Sequence, residues 1–260
     1  MKASLRIRAK SADTPIAWLV TKFREHLHFP DPTPLYVFFG AVAANLIEGD
    51  PVWPMLVGPP SCGKSEILSS ALGLPGIHES ARINGDAAFL SGTARKEKSK
   101  DASGGILRKV GGHGGVVIND FTSVLTLPKD KLDAVLGVFR ESYIGRWTRD
   151  IGSEGGRTLV WEGKVAYFGG VTGKIDEYHE ANASLGERWI YYRMSPGDGW
   201  ERAKRALNKR GNAWRLELRE VVNAMFAGLD LEFGKLDPRR DLTDREELKL
   251  FQMGAVAAAV

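Results

Sequence analysis

The chain has 260 residues, 43% of them hydrophobic and 26% charged, a composition typical of globular proteins that excludes a disordered, a collagen-like and a disulfide-stapled chain. Its single cysteine, Cys62, excludes an internal disulfide and favours the reducing cytoplasm. The formal net charge of +4 favours a polyanionic partner, and no apolar run approaches the roughly 20 residues of a membrane span, so we expect no membrane association.

The N-terminal region predicts a basic arm followed by two helices. Residues 1–13 are basic and unpatterned, and a helical stretch follows over 18–26. Three prolines within 29–34 end that stretch, because proline lacks the amide hydrogen that a helix interior needs. Residues 35–48 are strongly apolar, which predicts a buried helix.

The rest of the chain alternates between predicted strands and predicted helices. Short apolar runs indicate strands at 52–57, 81–84, 115–120, 164–171 and 189–194, and a two-stranded hairpin at 146–163. Helical spacing is found at 66–73, 105–110, 129–143 and from residue 200 onward. This alternation predicts an α/β fold with a mostly parallel sheet flanked by helices.

A phosphate-binding loop is predicted directly after the first strand. The pattern G-x-x-x-x-G-K-[ST] is matched without a mismatch, and we expect all eight residues to contact a nucleotide: Gly58, Pro59, Pro60, Ser61, Cys62, Gly63, Lys64 and Ser65. The two glycines let backbone N–H groups wrap a phosphate, and the helix that begins near Lys64 directs its positive dipole end at it. We expect Lys64 to reach the β- and γ-phosphates of ATP, Ser65 to bind Mg²⁺, and Cys62 to act as a small spacer.

A second metal ligand is predicted at the end of the third strand. Mg²⁺ on a phosphate loop needs a carboxylate there, and Asp120 supplies it. Many such ATPases place a Glu directly after this Asp to polarise the attacking water, whereas Phe121 stands here. Either Asn119 occupies the metal position with Asp120 as the base, or, as we prefer, Asp120 binds the metal and the base is Glu141 or Glu79.

The order of these motifs resembles that of the AAA+ ATPases over roughly residues 35–200. Segment 165–172 is similar to the sensor-1 strand, and this resemblance implies that Thr172 contacts the γ-phosphate or the attacking water. It further implies a P-loop NTPase core that uses ATP and Mg²⁺ in a homo-oligomeric ring, for which a hexamer is one candidate size. The sequence departs from the pattern in the missing Glu after Asp120 and in the lack of an obvious sensor-2 arginine.

The segment 185–194 is similar to the arginine-finger box of AAA+ proteins. The resemblance implies that Arg188 enters the nucleotide site of a neighbouring subunit, with Arg193 as the second candidate. A guanidinium from outside the site would stabilise the charge that phosphoryl transfer spreads over the γ-oxygens. The competing interpretation is a surface ion pair of Arg188 with Glu187 or Glu180.

A weaker resemblance links the chain to ATPases of phages and integrated elements that accompany replication genes. It depends on the segments 120–125, 139–145 and 161–164. It implies a helicase-like role in phage or mobile-element replication.

Two basic segments are candidates for nucleic-acid binding. The polar loop 91–104 carries Arg95, Lys96 and Lys98, and the predicted hairpin carries Arg149 and Arg157. Such cations neutralise phosphates without reading sequence. The same charges could form only a solvated tether.

Two tryptophans lie in the predicted hairpin. Trp147 and Trp161 could stack on bases, but cross-strand packing in a two-stranded ribbon is the interpretation that we favour.

The C-terminal region predicts a basic helical lid. We divide the chain into a basic arm and leading helix at 1–34, an ATPase core at 35–198 and a lid at 199–260. A capping box at Thr243 and Glu246 predicts a last helix that reaches residue 260 without a stop signal, so we hypothesise that the sequence is a fragment of a longer protein.

The sequence as a whole predicts Mg²⁺-dependent ATP hydrolysis by a ring that translocates or remodels nucleic acid. The alternative is a slow ATP-dependent switch or loader acting on a protein partner, since the usual catalytic Glu is absent. A P-loop kinase is a third and weaker interpretation.

Overall fold

The computed structural model of the chain describes residues 15–46, 49–80, 82–91, 104–152, 156–178, 188–195, 197–207 and 211–228. Its strands are β1 (Trp53–Val57), β2 (Ile77–Glu79), β3 (His113–Ile118), β4 (Arg146–Ile151), β5 (Arg157–Glu162), β6 (Lys164–Val171) and β7 (Trp189–Arg193). Its helices are α1 (Pro15–His26), α2 (Thr33–Ala44), α3 (Lys64–Ser70), α4 (Ile106–Val110), α5 (Thr122–Leu125), α6 (Lys129–Ile144), α7 (Gly199–Leu207) and α8 (Ala213–Gly228).

Five strands form one sheet in the order β2-β3-β6-β1-β7, and each adjacent pair runs parallel. Val57 of β1 is level with Val171 of β6 and with Arg193 of β7. The residues that follow β1, β3 and β6 therefore meet at one edge of the sheet, which we call the carboxyl edge. The predicted α/β fold with a mainly parallel sheet is confirmed.

Aromatic side chains join helix α6 to the central strands. Trp53 of β1 packs edge-on against Phe139 of α6 and Tyr167 of β6, with ring centroids 6.1 and 4.8 Å apart. Its indole N–H donates to the carbonyl of Val165 at 2.9 Å, so the buried polar group is satisfied. Every residue of β1 is buried, as expected for a strand with helices on both faces.

Helix α2 ends earlier than the apolar pattern predicts. It stops at Ala44 because the side chain of Asn45, which is 5% exposed, bonds the carbonyls of Ala41 and Val52 and accepts from the N–H of Val52. This clamp satisfies a helix-end carbonyl and turns the chain toward β1.

The prediction of a strand at 81–84 is wrong. The second strand is Ile77–Glu79, and it pairs with β3 so that Ile77 lies opposite Gly115. Residues 82–84 lie outside any strand. A three-residue edge strand that contains His78 and Glu79 has no apolar run for periodicity to detect.

The predicted hairpin forms from β4 and β5 as a separate antiparallel ribbon. Trp147 and Trp161 are directly opposite each other and only 6% and 5% exposed, which confirms cross-strand packing. The indole N–H of Trp161 donates to the carbonyl of Gly111 at 2.7 Å, which ties the ribbon to the turn before β3.

Helix α8 packs against α1 and α3. A Cβ atom on Gly73 would lie 2.4 Å from the carbonyl oxygen of Arg219. Only glycine therefore permits α8 to come this close to residue 73. Among the described residues, no helix has both the length and the apolarity to cross a membrane.

Candidate functional site

The predicted phosphate loop lies at the carboxyl edge, between β1 and α3. The N–H of Gly58 bonds the carbonyl of Val171 at 3.1 Å, which joins the start of the loop to the end of β6. Ser61 and Gly63 have positive φ values of 62° and 97°, so the backbone folds back on itself within the loop. A Cβ atom on Gly63 would lie 2.7 Å from the ring of Phe29. This position therefore requires glycine both because of the positive φ and because there is no room for a side chain.

Lys64 turns its side chain back into the loop. Its ammonium donates to the carbonyls of Gly58 and Pro59 at 2.6 and 2.7 Å and lies 3.5 Å from the sulfur of Cys62. The residue is only 9% exposed, and no described carboxylate lies within 4 Å of the ammonium. A buried cation whose acceptors are all neutral lacks an opposite charge, and this is the electrostatic condition of an anion site.

A cleft of about 530 Å³ opens beside the loop and has the size of a small-molecule site. Its walls come from the end of α1, the phosphate loop and the two C-terminal helices. The lining residues are His26, Leu27, His28, Phe29, Ser61, Cys62, Gly63, Lys64, Ser65, Glu66, Arg202, Arg205, Gly211, Trp214 and Arg215. Ser65 is exposed, so its hydroxyl is available to a ligand in the cleft.

Sequence analysis missed the arginines that α7 and α8 bring to this cleft. Arg215 forms a bidentate ion pair with Glu66 of α3, with a shortest contact of 2.6 Å, and its guanidinium lies 4.4 Å from the centre of the Trp214 ring. The hydrogen bonds that Arg215 donates to the Glu66 carboxylate raise the pKa of Arg215, so it stays charged. Arg205 donates to the carbonyls of Arg24 and Leu27 at the end of α1. The basic amphipathic pattern from residue 200 is the only sequence signal for these contacts, and it does not identify which arginines face the loop.

Asp120 follows β3 at the same edge and is exposed. The N–H of Phe121 bonds the carbonyl of Gly170 at 2.7 Å, which brings the residues after β3 across the end of β6. The Asn119 amide donates to Glu79 at 2.7 Å and accepts from the hydroxyl of Ser69 at 3.3 Å. Because Asn119 already has these two partners, the geometry favours Asp120 over Asn119 as the metal ligand.

Asp120 and Ser65 line two different clefts. Asp120, Asn119 and Glu79 belong to a second cleft of about 480 Å³, and none of the described hydrogen bonds joins Ser65 to Asp120. Both are oxygen donors at the carboxyl edge, which fits Mg²⁺, an ion that usually keeps several of its water ligands. They would hold the ion through water in at least part of its shell.

Thr172 directly follows β6, the strand that lies between β1, which precedes the loop, and β3, which precedes Asp120. Its hydroxyl lies 3.5 Å from that of Thr122, which also accepts from the Thr172 N–H at 3.4 Å. The position is half-buried and directly follows Val171, the residue that anchors Gly58. The structure therefore brings Thr172 to the edge that also holds Lys64 and Asp120.

The two candidate bases lie at opposite edges of the sheet. Glu79 bonds Asn119, beside Asp120. Glu141 is exposed on the last turn of α6, whose C-terminal Gly145 bonds Gly163 just before β6 begins. Glu141 is thus at the amino edge, away from the phosphate loop, and of the two candidates only Glu79 is near the proposed metal ligands.

The two candidate finger arginines are also separated along β7. Arg188 precedes the strand at the amino edge, and its guanidinium lies 5.5 Å from the centre of the Tyr143 ring. Arg193 ends the strand level with Val57 and forms a bidentate pair with Asp176 at 3.0 and 2.6 Å, which raises its pKa. Five residues of strand span about 16 Å, so Arg188 is remote from the phosphate loop of its own chain.

Only part of the predicted nucleic-acid surface falls within the described residues. Arg95, Lys96 and Lys98 lie outside them, and so does the side chain of Arg157. Arg149 has partners within the chain: it lies 2.9 Å from the carboxylate of Asp86 and donates to the Leu90 carbonyl at 2.7 Å. Because its charge is already paired, Arg149 fastens the ribbon to the residues before α4.

Comparison with known proteins gives no family for this chain. No protein-family model and no curated protein matches the sequence. Two solved structures of the NrS-1 C-terminal region in its A-form apo state are similar in part. The first, covering residues 305–718 of that protein, has a TM-score of 0.43 at 13% identity over 82% of this chain and 45% of its own. The second has a TM-score of 0.40 at 12% identity over 91% of this chain and 50% of its own, so the chain spans about half the length of either structure.

Proposed function

We propose that the chain is a Mg²⁺-dependent ATPase with an AAA+-like P-loop core, which forms a ring and acts on nucleic acid. The observation that carries the proposal is the buried Lys64 ammonium, which is held by two neutral carbonyls at a cleft of nucleotide size. The β- and γ-phosphates of ATP would provide the negative charge that this ammonium lacks.

The walls of the cleft support a nucleotide as the ligand. Arg202 adds a cation to the cleft that Lys64 lines, whereas the charge of Arg215 is already paired with Glu66. Trp214 and His26 provide aromatic rings on the side formed by α1 and α8. Their ring centroids are 6.0 Å apart, and their ring planes are inclined by 30°. A site with cations on one side and aromatic rings on the other matches the two ends of a nucleotide.

The carboxyl edge supports hydrolysis. Ser65 and Asp120 would hold Mg²⁺, which neutralises charge on the phosphates when it is bound. Thr172 lies between them in the order of the strands and would orient the attacking water or the γ-phosphate. We assign the role of the base to Glu79, because its exposed carboxylate lines the same cleft as Asp120.

The position of Arg188 supports action between subunits. At the amino edge it is too far from its own phosphate loop to stabilise the γ-phosphate, so a role in hydrolysis requires a second copy of the chain. Arg193 is nearer to its own loop, but its pair with Asp176 satisfies the charge. We therefore assign the finger to Arg188.

The assignment of nucleic acid as the partner rests on the positively charged residues in the sequence. The cations are Arg95, Lys96, Lys98 and Arg157, together with the net charge of +4. Arg149 is excluded from this set because of its pair with Asp86.

A slow nucleotide-dependent switch is the second candidate. The residue after Asp120 is Phe121, which is completely buried in the core and provides no base. If Glu79 does not act as the base, hydrolysis would be slow and the nucleotide state would control a protein partner instead.

ATP turnover of a Lys64→Ala variant tests the site. We expect a loss of about 10²-fold or more, because the variant removes the cation that meets the transferring phosphate. Lys204→Ala, which removes an exposed lysine of α7, is the matched control and should leave turnover unchanged. Full turnover by Lys64→Ala would disprove the site.

Mixing two inactive variants tests the ring. Arg188→Ala should lower turnover by about 10³-fold or more. Adding Lys64→Ala protein, which keeps Arg188, should restore activity at mixed interfaces, whereas a finger acting within one chain would give no restoration. Single-stranded DNA added to the wild-type chain then separates the motor, whose turnover it stimulates, from the switch, whose turnover stays low.

A further inference from the structure

Three metal-ligating side chains lie together where the end of α1 meets α8. Glu25, His26 and Glu217 each offer one ligand atom, and these atoms all lie within 4.8 Å of one another. We propose that this cluster binds a first-row divalent transition ion, with Zn²⁺ as the first choice. The site is separate from the Mg²⁺ position proposed above and does not depend on ATP binding.

The pair of His26 and Glu217 has the spacing of two ligands on one ion. Nε2 of His26 lies 3.2 Å from Oε2 of Glu217, yet this buried nitrogen forms no aligned hydrogen bond with any described group. Zinc–nitrogen and zinc–oxygen bonds of about 2.0–2.2 Å at a tetrahedral angle place two ligand atoms roughly 3.3–3.5 Å apart. A shared ion would therefore satisfy this nitrogen, which makes no aligned hydrogen bond within the described part of the chain although Glu217 lies 3.2 Å away.

The orientation of the imidazole is set by packing. The ring of His26 lies against Trp214 of α8, with an angle of 30° between the ring planes. In this arrangement Nε2 lies 3.2 Å from Oε2 of Glu217. A ligand that is oriented before the ion arrives costs less entropy to order on binding.

Glu25 completes the set as the weaker ligand. Both of its carboxylate oxygens accept from Lys22, at 2.7 and 2.6 Å, and the residue is exposed. A bound ion would take the place of Lys22 at one of these oxygens. We therefore expect His26 and Glu217 to contribute most of the affinity.

The donor set selects a transition ion over Mg²⁺. Imidazole nitrogen suits Zn²⁺, Cu²⁺ and Ni²⁺, whereas Mg²⁺ prefers oxygen ligands in octahedral geometry. The ion would connect α1 to α8, which are two walls of the nucleotide cleft, and His26 lines that cleft. Its binding would therefore hold the cleft walls in one arrangement.

Titration of the chelator-treated chain with Co²⁺ tests the proposal, because tetrahedral Co²⁺ has strong visible absorption bands. We expect one equivalent to bind, Zn²⁺ to displace it and Mg²⁺ to have no effect. His26→Gln and Glu217→Gln should each weaken binding by about tenfold or more, since even residues that only support metal ligands contribute 10- to 100-fold. His78→Gln, which removes an imidazole on β2, is the matched control and should bind as the wild type does.

Thermal unfolding in the presence of chelator shows whether each variant is folded, and Glu217→Gln alone carries the test if His26→Gln unfolds. The Lys64→Ala variant should still bind Co²⁺, which separates this site from the nucleotide site. The absence of a saturable Co²⁺ band would overturn the proposal. Binding that is unchanged in His26→Gln and Glu217→Gln would overturn it as well.

Discussion

The predicted phosphate loop and the β4–β5 ribbon differ in whether a described carboxylate lies beside their buried or half-buried cation. In the ribbon, Arg149 is paired with Asp86 and also bonds the Leu90 carbonyl. In the loop, Lys64 is buried more deeply, and its acceptors among the described residues are two carbonyl oxygens and the sulfur of Cys62, all without charge. The charge of Arg149 is neutralised within the fold, whereas no described carboxylate lies near the charge of Lys64, which we propose meets a phosphate. Sequence alone describes both residues as cations that could contact phosphate.

The largest effect is expected from Trp161→Ala in the ribbon. Removing this buried ring should lower the free energy of unfolding by about 3–5 kcal/mol, through lost packing and the cavity that remains. Urea denaturation followed by circular dichroism measures the change. Trp161→Phe keeps a ring and loses the bond to Gly111, so its cost should be nearer to about 1 kcal/mol. A similar cost for both variants would mean that packing of the ribbon does not stabilise the fold.

The second prediction concerns Lys64→Met, which removes the charge and keeps most of the volume. Stability without ligand should be unchanged or higher, because an unneutralised buried charge is removed. A non-hydrolysable ATP analogue with Mg²⁺ should stabilise the wild type by about 2.7 kcal/mol at a hundred times its Kd, and should not stabilise the variant. Thermal unfolding with and without the analogue measures both quantities, and Lys204→Met is the control. If the Lys64→Met variant is still stabilised by the analogue, the Lys64 charge is not needed for nucleotide binding. The contrast with the paired charge of Arg149 would then carry no functional meaning.

The smallest effect is expected from Arg149→Ala. Losing the contacts to Asp86 and Leu90 should lower stability by about 1–2 kcal/mol. Affinity for single-stranded DNA should keep its salt dependence, measured by fluorescence anisotropy across a salt series. Arg157→Ala should instead reduce the slope by about 0.7, the value for one phosphate contact. A reduced slope in Arg149→Ala would show that this arginine contacts phosphate after all.

Elements with strong local patterns were predictable, and those defined by pairing were not. The apolar run before Gly58 and the spacing of α6 identify a strand and a helix without knowledge of their neighbours. Strand β2 escaped prediction because its three residues are a strand only through pairing with β3. The end of α2 was misplaced because Asn45 ends the helix through contacts with Val52, in the next segment.

The residues of the candidate site also fall into those with a local sequence signal and those defined by contacts between distant segments. The motif G-x-x-x-x-G-K-[ST] is visible in the sequence because its spacing lies within one short segment, and the phosphate binding that it predicts stays a prediction. Glu79 and Glu141 were equal candidates until the topology placed them at opposite edges of the sheet. Arg215, Trp214 and the cluster around His26 join segments about 150 to 190 residues apart, and local pattern contains no information about such contacts.

The sequence by itself determined the alternation of the longer helices and strands, the position of the G-x-x-x-x-G-K-[ST] motif and the buried character of the first strand, because each depends on the side chains of one continuous segment. Tertiary structure alone decided which charges are paired, which acid lies beside Asp120 and which arginines face the loop. The physical reason is that electrostatic and metal-ligand interactions act over a few ångströms in space, and only the folded chain brings distant residues within that range.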